Sequence, residues 1–277
     1  MDPLFAFRLA AFLVFGLLFG SFGNVVIWRL PRGESLATPG SHCPVCDHPV
    51  RWYDNVPVIS WIALRGRCRD CGTAISTRYP AVEALSGVLF VLAAARFETV
   101  PQAVAAAVMF WFLLVLSLID LDVFRLPNAL VGSLAVAGGV GVVIAQFTDS
   151  SVVPLVSGWL AGAGPGPVVE SLIGVLLGAG LSALAALAYH KIRGASGLGM
   201  GDIKLLGTLG LWLGPLVLLA LFMGSLMGAV FGLATQRNRE WQQRRIPFGP
   251  YLAAGAIVVA LAGEPILSWY LSLVGIS

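Results

Sequence analysis

Residues 101–119 read PQAVAAAVMFWFLLVLSLI, an apolar stretch without a single charged side chain. Because roughly 20 such residues cross the hydrocarbon core of a bilayer, the stretch predicts a transmembrane helix. The whole chain of 277 residues shares this character, with 58% hydrophobic and 11% charged residues and a mean hydropathy of +0.88. These values exclude an ordinary soluble domain and a disordered chain. They indicate membrane lipid as the surroundings and, with a net charge of only +3, argue against nucleic acid as a partner.

Further apolar runs predict an all-α polytopic membrane protein with about eight transmembrane helices. The sixth run is short and is separated from the seventh only by Gly214 and Pro215, and the segment after Pro265 leaves open a further interfacial or re-entrant helix. Residues 148–166 are predicted to form a flexible external connector. The runs are residues 5–27, 81–97, 101–119, 128–147, 167–189, 203–214, 215–235 and 249–262.

The distribution of basic residues predicts the orientation, because short cytoplasmic loops collect Lys and Arg. Placing residues 28–80 in the cytoplasm puts all of the 17 basic residues except Arg8 and Arg96 on that side. The N-terminus is then expected outside, and the first apolar run is expected to be a retained span, since no small-residue cleavage site follows it. The expected organisation is a first transmembrane helix at 1–27, a cytoplasmic cysteine loop at 28–80 and a transmembrane core at 81–277.

All four cysteines of the chain fall in this polar loop, as two C-x2-C pairs. The pairs are Cys43 with Cys46 and Cys68 with Cys71, and the spacing between them is slightly longer than the roughly 15–20 residues typical of a zinc ribbon. Four thiolates complete a closed tetrahedral shell, which predicts a structural zinc site rather than a catalytic one. Iron on the same ligands, two disulfides or unrelated thiols are the alternatives, although a cytoplasmic loop argues against disulfides. His42 and His48 are substitute ligands that four sulfurs make unnecessary.

Three aspartates at the ends of predicted spans are candidate catalytic residues, because a carboxylate near a membrane helix is expensive to place. Asp120 and Asp122 end the third span, and Asp202 opens the sixth. Two neighbouring carboxyl groups, one of them protonated, can hydrolyse a peptide bond without a metal. Gly199 and Gly201 leave room beside Asp202 for an extended substrate backbone. Taken singly, each aspartate is better explained as a helix cap or an interfacial residue than as a catalytic group.

The order of these motifs along the chain resembles the type IV prepilin peptidases, a family of polytopic aspartyl proteases. The resemblance covers about residues 17–255. It is carried by residues 20–31, 43–46, 52–57, 60–61, 65–68, 71, 75–80, 82–83, 119–122, 126–128, 199–204 and 245–250.

The resemblance implies an inner-membrane enzyme that removes the basic leader of type IV prepilins or pseudopilins. Cleavage is expected on the cytoplasmic side after a glycine, followed by methylation of the new N-terminus with S-adenosylmethionine, whose site the sequence does not place. The catalytic pair maps onto Asp122 and Asp202, with Asp120 as the alternative to Asp122. Lys204 is expected near the approaching substrate, together with the two glycines beside Asp202.

The chain departs from the family pattern in two places. The spacing between the two mapped aspartates is longer than usual, and Asn128 stands where an acidic residue is common. Glu83, Arg78 and Asn24 lie at predicted helix ends, where structural pairing is expected.

The sequence also allows two other classes of function. A proton- or cation-coupled transporter would use the same carboxylates, but would be expected to carry them near the middle of the membrane and to lack a zinc ribbon. A non-enzymatic assembly factor that binds pilins would tolerate replacement of either aspartate.

Overall fold

The computed structural model describes residues 2–148, 153, 155, 166–194, 198–235 and 247–275. Within these residues the regular structure is helical, and no strand forms beyond two isolated bridges in the cysteine loop. The helices are α1 Pro3–Arg29, α2 Ile59–Ala63, α3 Arg78–Arg96, α4 Val100–Val123, α5 Asn128–Phe147, α6 Pro167–Val175, α7 Ser182–Arg193, α8 Met200–Leu213, α9 Val217–Thr235 and α10 Gly249–Val274.

Seven helical stretches of the described chain are long and apolar enough to cross a bilayer. The prediction of an all-α polytopic membrane protein is therefore confirmed. The count differs from eight because α8 and α9 are joined by one 3₁₀ turn, Gly214–Leu216, into a stretch of 35 residues. The predicted connector at 148–166 and the basic residues at 237, 239, 244 and 245 lie almost wholly outside the described residues.

Two helical stretches are not simple α-helices. A π-helical segment, Leu176–Leu181, joins α6 to α7, so the pair forms one stretch from Pro167 to Arg193. Helix α10 continues through Pro265 to Val274. The segment after Pro265 is therefore the end of α10 and not a separate interfacial helix.

The chain divides into two compact units, Met1–Val115 and Leu116–Ser277, with the boundary inside α4. In the first unit α1 packs closely on α3, and glycines on α1 make room for the contact. An ideal Cβ at Gly20 would lie 2.6 Å from Glu83 Cα, and one at Gly16 would lie 2.8 Å from Gly87 Cα. Such contacts between small residues let helix backbones approach within a membrane, where apolar burial gives little driving force. The Trp111 indole N–H also donates to the Phe19 carbonyl at 2.8 Å.

In the second unit α8 is the central helix. A side chain at Gly174 of α6 would clash with the Gly210 carbonyl of α8, and one at Gly210 would clash with the Gly174 carbonyl. On another side, the Trp212 indole N–H donates to the Leu134 carbonyl of α5 at 3.0 Å. These contacts hold α8 rigidly between its neighbours, and that fixes the position of its N-terminus.

Candidate active site and metal centre

Asp202 lies in the first turn of α8, where the helix begins after its N-cap, Gly199. The Gly199 backbone N–H donates a hydrogen bond to the Asp202 carboxylate. This contact satisfies one of the N–H groups that a helix start leaves unpaired, so the carboxylate has a defined orientation. An ideal Cβ at position 199 would lie 3.1 Å from Asp202 Oδ2. Glycine at this position therefore keeps one side of the carboxylate uncovered.

Asp120 lies in the last turn of α4 and is buried, with 6% of its surface exposed. Its Oδ2 accepts a hydrogen bond from the backbone N–H of Gly249, the first residue of α10, at 3.1 Å. The Asp120 and Asp202 carboxyl groups are close enough for their charges to interact. The two carboxyl groups, contributed by α4 and α8, therefore belong to one site within the second unit.

Leu126, in the connection between α4 and α5, packs beside Gly201, which precedes Asp202, and beside Gly249, which bonds to Asp120. An ideal Cβ at Gly201 would lie 3.3 Å from Leu126 Cβ, and one at Gly249 would lie 3.3 Å from Leu126 Cδ2. Leu126 thus fills the space between the starts of α8 and α10. A larger residue at Gly201 would push Leu126, and one at Gly249 would push both Leu126 and Asp120.

Asp122 lies on a different side of α4 from Asp120. Two residues along an α-helix correspond to a rotation of about 200°, and Asp122 is exposed whereas Asp120 is buried. Lys204, which is also exposed, donates from Nζ to Asn128 Oδ1 at 3.0 Å. This bond links α8 to the first residue of α5, so Lys204 braces the same connection that carries Leu126.

The four cysteines come together as the spacing predicts. All four Sγ atoms lie within 4.8 Å of one another, and Cys43 Sγ lies 3.8 Å from Cys71 Sγ. Four sulfurs at the usual Zn–S distance of about 2.3 Å are separated by about 3.8 Å in a tetrahedron. The backbone N–H groups of Cys46 and Val45 lower the pKa of Cys43 to about 6, whereas burial and the neighbouring thiols raise the pKa of Cys46 to about 12. Cys43 is therefore the first of the two to become the thiolate that a metal binds. These residues fit a structural zinc ion.

The two C-x2-C pairs are held by matching turns. The Cys43 N–H donates to the His48 carbonyl at 3.0 Å, and the Cys68 N–H donates to the Thr73 carbonyl at 2.8 Å. The residue after each second cysteine has a positive φ, 58° at Asp47 and 71° at Gly72. Between the turns, Arg69 makes two hydrogen bonds of 2.7 and 2.6 Å to Asp54. The Arg69 guanidinium lowers the pKa of that carboxyl group.

Comparison with known proteins places the chain in a family. Residues 14–97 match the bacterial peptidase A24 N-terminal domain, and residues 107–233 match the type IV leader peptidase family. A prepilin leader peptidase/N-methyltransferase of Aeromonas salmonicida (strain A449) is 37% identical, over 94% of this chain and 92% of the relative. The chain belongs to the type IV leader peptidase family.

Other members of the leader peptidase family are similar over nearly the whole chain. A protein of the same name from Stutzerimonas stutzeri is 38% identical over 98% of this chain and 95% of its own length. The type 4 prepilin-like proteins leader peptide-processing enzyme of an Escherichia coli strain is 35% identical over 87% of this chain and 89% of its own length. No solved structure matches the chain. The chain is thus an enzyme, a peptidase, and neither the transporter nor the assembly factor considered from sequence is favoured.

The structure of this leader peptidase brings some of the predicted site residues together and leaves Asp122 on an exposed side of α4. Asp202, Gly199 and Gly201 lie at one helix start beside Asp120, whereas Asp122 lies on a more exposed side of α4. The preference for Asp122 over Asp120 therefore stays a prediction that the geometry does not favour. Sequence reasoning missed Leu126 and Gly249 as parts of the site, although both fall in motifs that carry the family resemblance.

The polar residues at the helix ends of the first unit are engaged in structure. Glu83 Oε2 accepts the Val58 backbone N–H at 2.7 Å, and Asn24 Nδ2 donates to the Tyr79 carbonyl at 3.1 Å. Structural pairing was expected for both residues. The bonds attach the cysteine loop and the start of α3 to the membrane-spanning part of the unit.

Replacing Cys43 by Ser is expected to remove the zinc and unfold the cysteine loop. Structural zinc contributes about 10–16 kcal/mol to folding in small metal-binding peptides, and the buried Cys43 supplies one of the four sulfurs. Elemental analysis of purified protein measures the zinc, and limited proteolysis of residues 28–80 measures the order of the loop. Val45→Ser, at a side chain 69% exposed within the same turn, is the matched control and should keep the metal. Wild-type protein without zinc would contradict the assignment.

Proposed function

We propose that this leader peptidase removes the leader of type IV prepilins or pseudopilins by an aspartyl mechanism with Asp120 and Asp202 as the catalytic pair. The observation that carries the proposal is the juxtaposition of a buried carboxyl group on α4 with one at the start of α8. The exposure of Asp122 supports Asp120 as the first member. The relatives named prepilin leader peptidase/N-methyltransferase support prepilins as the substrate.

In the proposed reaction, one carboxylate takes a proton from a water molecule, and the resulting hydroxide adds to the scissile carbonyl carbon. The partner carboxylic acid gives its proton to the carbonyl oxygen. When the tetrahedral intermediate collapses, the C–N bond breaks, and the leaving nitrogen takes the proton that the first carboxyl group had accepted from water. The hydroxyl group formed from the carbonyl oxygen returns its proton to the partner carboxylate, so both groups regain their starting states. The Gly249 N–H holds Asp120 Oδ2 in place, and the Gly199 N–H holds Asp202, so both groups are oriented before substrate binds.

The side of the membrane and the bond that is cut are further parts of the proposal. Asp120 lies at the end of its span and Asp202 at the start of its own, so both can share one membrane face. The excess of Lys and Arg on the same side supports the cytoplasmic face of the inner membrane. There the basic leader ends next to the hydrophobic helix of the substrate, and we propose cleavage after the glycine at that junction.

We propose that the same enzyme then methylates the new N-terminus, as the names of the relatives include N-methyltransferase. S-adenosylmethionine would supply the methyl group when bound, and none of the described residues is assigned to its site. The four-cysteine centre would hold zinc as a structural ion in the loop. Its four sulfurs leave no open coordination position for a reacting group.

Mass spectrometry of a prepilin-like substrate co-expressed with the enzyme tests both activities together. The expected product lacks the leader up to a glycine and carries one methyl group on its new α-amino nitrogen. A product that has lost the leader without a methyl increment would reject the methylation alone. A substrate with its leader intact, beside folded enzyme in the membrane, would reject the proposed function.

A further inference from the structure

Helix α2 in the polar cysteine loop carries two large apolar side chains that nothing in the described chain covers. Ile59 is 64% exposed and Ile62 is 63% exposed. Residues three apart lie on the same side of an α-helix, so the two isoleucines form one apolar surface. The other side of α2 faces the protein, because Ser60 is 8% exposed and the Trp61 indole N–H donates to the Ile75 carbonyl at 3.1 Å.

The attachment of α2 fixes its level relative to the membrane-spanning helices. The N–H of Val58, the residue before α2, donates to Glu83 Oε2 at 2.7 Å. Glu83 lies in the second turn of α3, about 8 Å from its start. Ser21 of α1 also makes a hydrogen bond to Glu83, and it lies two turns before α1 ends at Arg29. Val58 is therefore beside the spanning parts of α1 and α3, not beyond their ends.

A strained turn keeps the chain at this level. Val58 has φ 61° and ψ −49°, and the Ile59 N–H donates to the Pro57 carbonyl at 2.6 Å, which closes a γ-turn of the rare, strained type. A β-branched residue adopts a positive φ only where surrounding contacts determine it. The bond from Val58 to Glu83 is such a contact, so the start of α2 is held at a defined depth.

We propose that α2 lies in the membrane interface and that Ile59 and Ile62 contact the acyl chains of phospholipids. The two helices that hold it also expose large apolar side chains, Phe22 of α1 at 44% and Leu85 of α3 at 47%. Arg65 follows α2 and is exposed. A basic residue after an apolar helix face is typical of helices that lie in the headgroup region, where anionic lipids attract the charge. The cysteine loop is then anchored to the bilayer as well as to α3.

The depth of Ile59 and Ile62 can be measured in full-length protein reconstituted into phosphatidylethanolamine–phosphatidylglycerol vesicles. A ketone-bearing amino acid at position 59 or 62 takes a nitroxide label without involving the four cysteines. Collision with oxygen, which concentrates in acyl chains, is compared with collision with a water-soluble nickel chelate. Val88, 51% exposed on α3, serves as the lipid reference, and Val45, 69% exposed in the first cysteine turn, serves as the water reference.

The expected result is an oxygen-to-nickel collision ratio at positions 59 and 62 that matches position 88 and exceeds position 45 severalfold. A ratio equal to that at position 45 would overturn the proposal, because the helix would then face water. Protection from both reagents would also overturn it, because the isoleucines would then pack against protein. Neither result depends on peptidase activity, so the proposed function is tested separately.

Discussion

Asp120→Asn is expected to lower the rate of leader cleavage by about 10²–10⁴-fold, the usual contribution of a general acid or base. Asparagine keeps the shape of the side chain, and its amide oxygen can still accept the Gly249 N–H that now donates to Asp120 at 3.1 Å. What it loses is the ability to accept or give a proton. Asp202→Asn is expected to have an effect of the same size. The measurement is the kcat/KM for leader removal from a prepilin-like substrate with purified enzyme in lipid.

Asp122→Asn is the matched control, since the residue lies two positions away on the same helix and is exposed. It should cleave at nearly the wild-type rate. Loss of cleavage in Asp122→Asn together with normal cleavage in Asp120→Asn would reverse the assignment and restore the mapping drawn from sequence. Normal cleavage in both Asp120→Asn and Asp202→Asn would reject the aspartyl mechanism. Thermal unfolding of each variant separates these outcomes from misfolding.

The choice between Asp120 and Asp122 could not be made from the sequence, because the pattern does not show which side of α4 is buried. Helix α4 has a buried stripe that includes Met109, Leu113 and Leu116, and Asp120 continues it by one further turn. The 3.6-residue period would have selected Asp120 if the opposite side of the helix were polar. In this helix the less buried positions before Asp120, such as Ala105, Val108 and Phe112, are apolar too, as is usual for a helix within a membrane. The pattern that identifies a buried side in soluble proteins is therefore hidden.

The membrane helices and the metal site were predictable for different reasons. A run of about 20 apolar residues specifies a span by length alone, and most predicted spans match helices of the structure. Each pair of cysteines was predictable from its C-x2-C spacing, since each turn closes through its own backbone hydrogen bonds. The meeting of the two pairs was predictable because four thiolates complete one tetrahedral metal site. The end of α10 was not predictable, because a proline such as Pro265 more often ends a helix than continues one.

Contacts between distant parts of the chain could not be predicted. Nothing in the sequence near Val58 indicates that its N–H bonds to Glu83, and nothing near Gly249 indicates that it meets Asp120. Both contacts depend on how helices pack, and a single sequence carries no signal for such pairs. Gly249 can be seen in the sequence, but the reason for a glycine there appears only when Asp120 of α4 lies beside it.

Gly249→Ala is expected to disable the site while leaving the fold intact. A Cβ at position 249 would lie 2.6 Å from Asp120 Oδ2, closer than atoms can approach. The end of the aspartate side chain can rotate away, so the helices need not move. The lost hydrogen bond of the buried carboxylate costs about 1–3 kcal/mol, and the higher helix propensity of alanine offsets up to about 1 kcal/mol of that cost. The rotated carboxylate would lose its bond to the Gly249 N–H and its alignment with Asp202. A displacement of about 1 Å at a reacting group reduces catalysis about 10²-fold.

Measurement of kcat/KM for leader removal, with the midpoint of thermal unfolding in the same lipid, tests this expectation. Gly132→Ala in α5 is the control, because no atom lies within 4 Å of a Cβ at that position. Alanine there should leave cleavage unchanged and raise stability by up to about 1 kcal/mol, the difference in helix propensity. Wild-type cleavage by Gly249→Ala would show that Asp120 need not occupy its observed position, and the catalytic role proposed for that carboxylate would then be untenable. Lost cleavage with a normal unfolding midpoint would instead place the defect at the aspartate pair, because Gly249 supplies no side chain of its own.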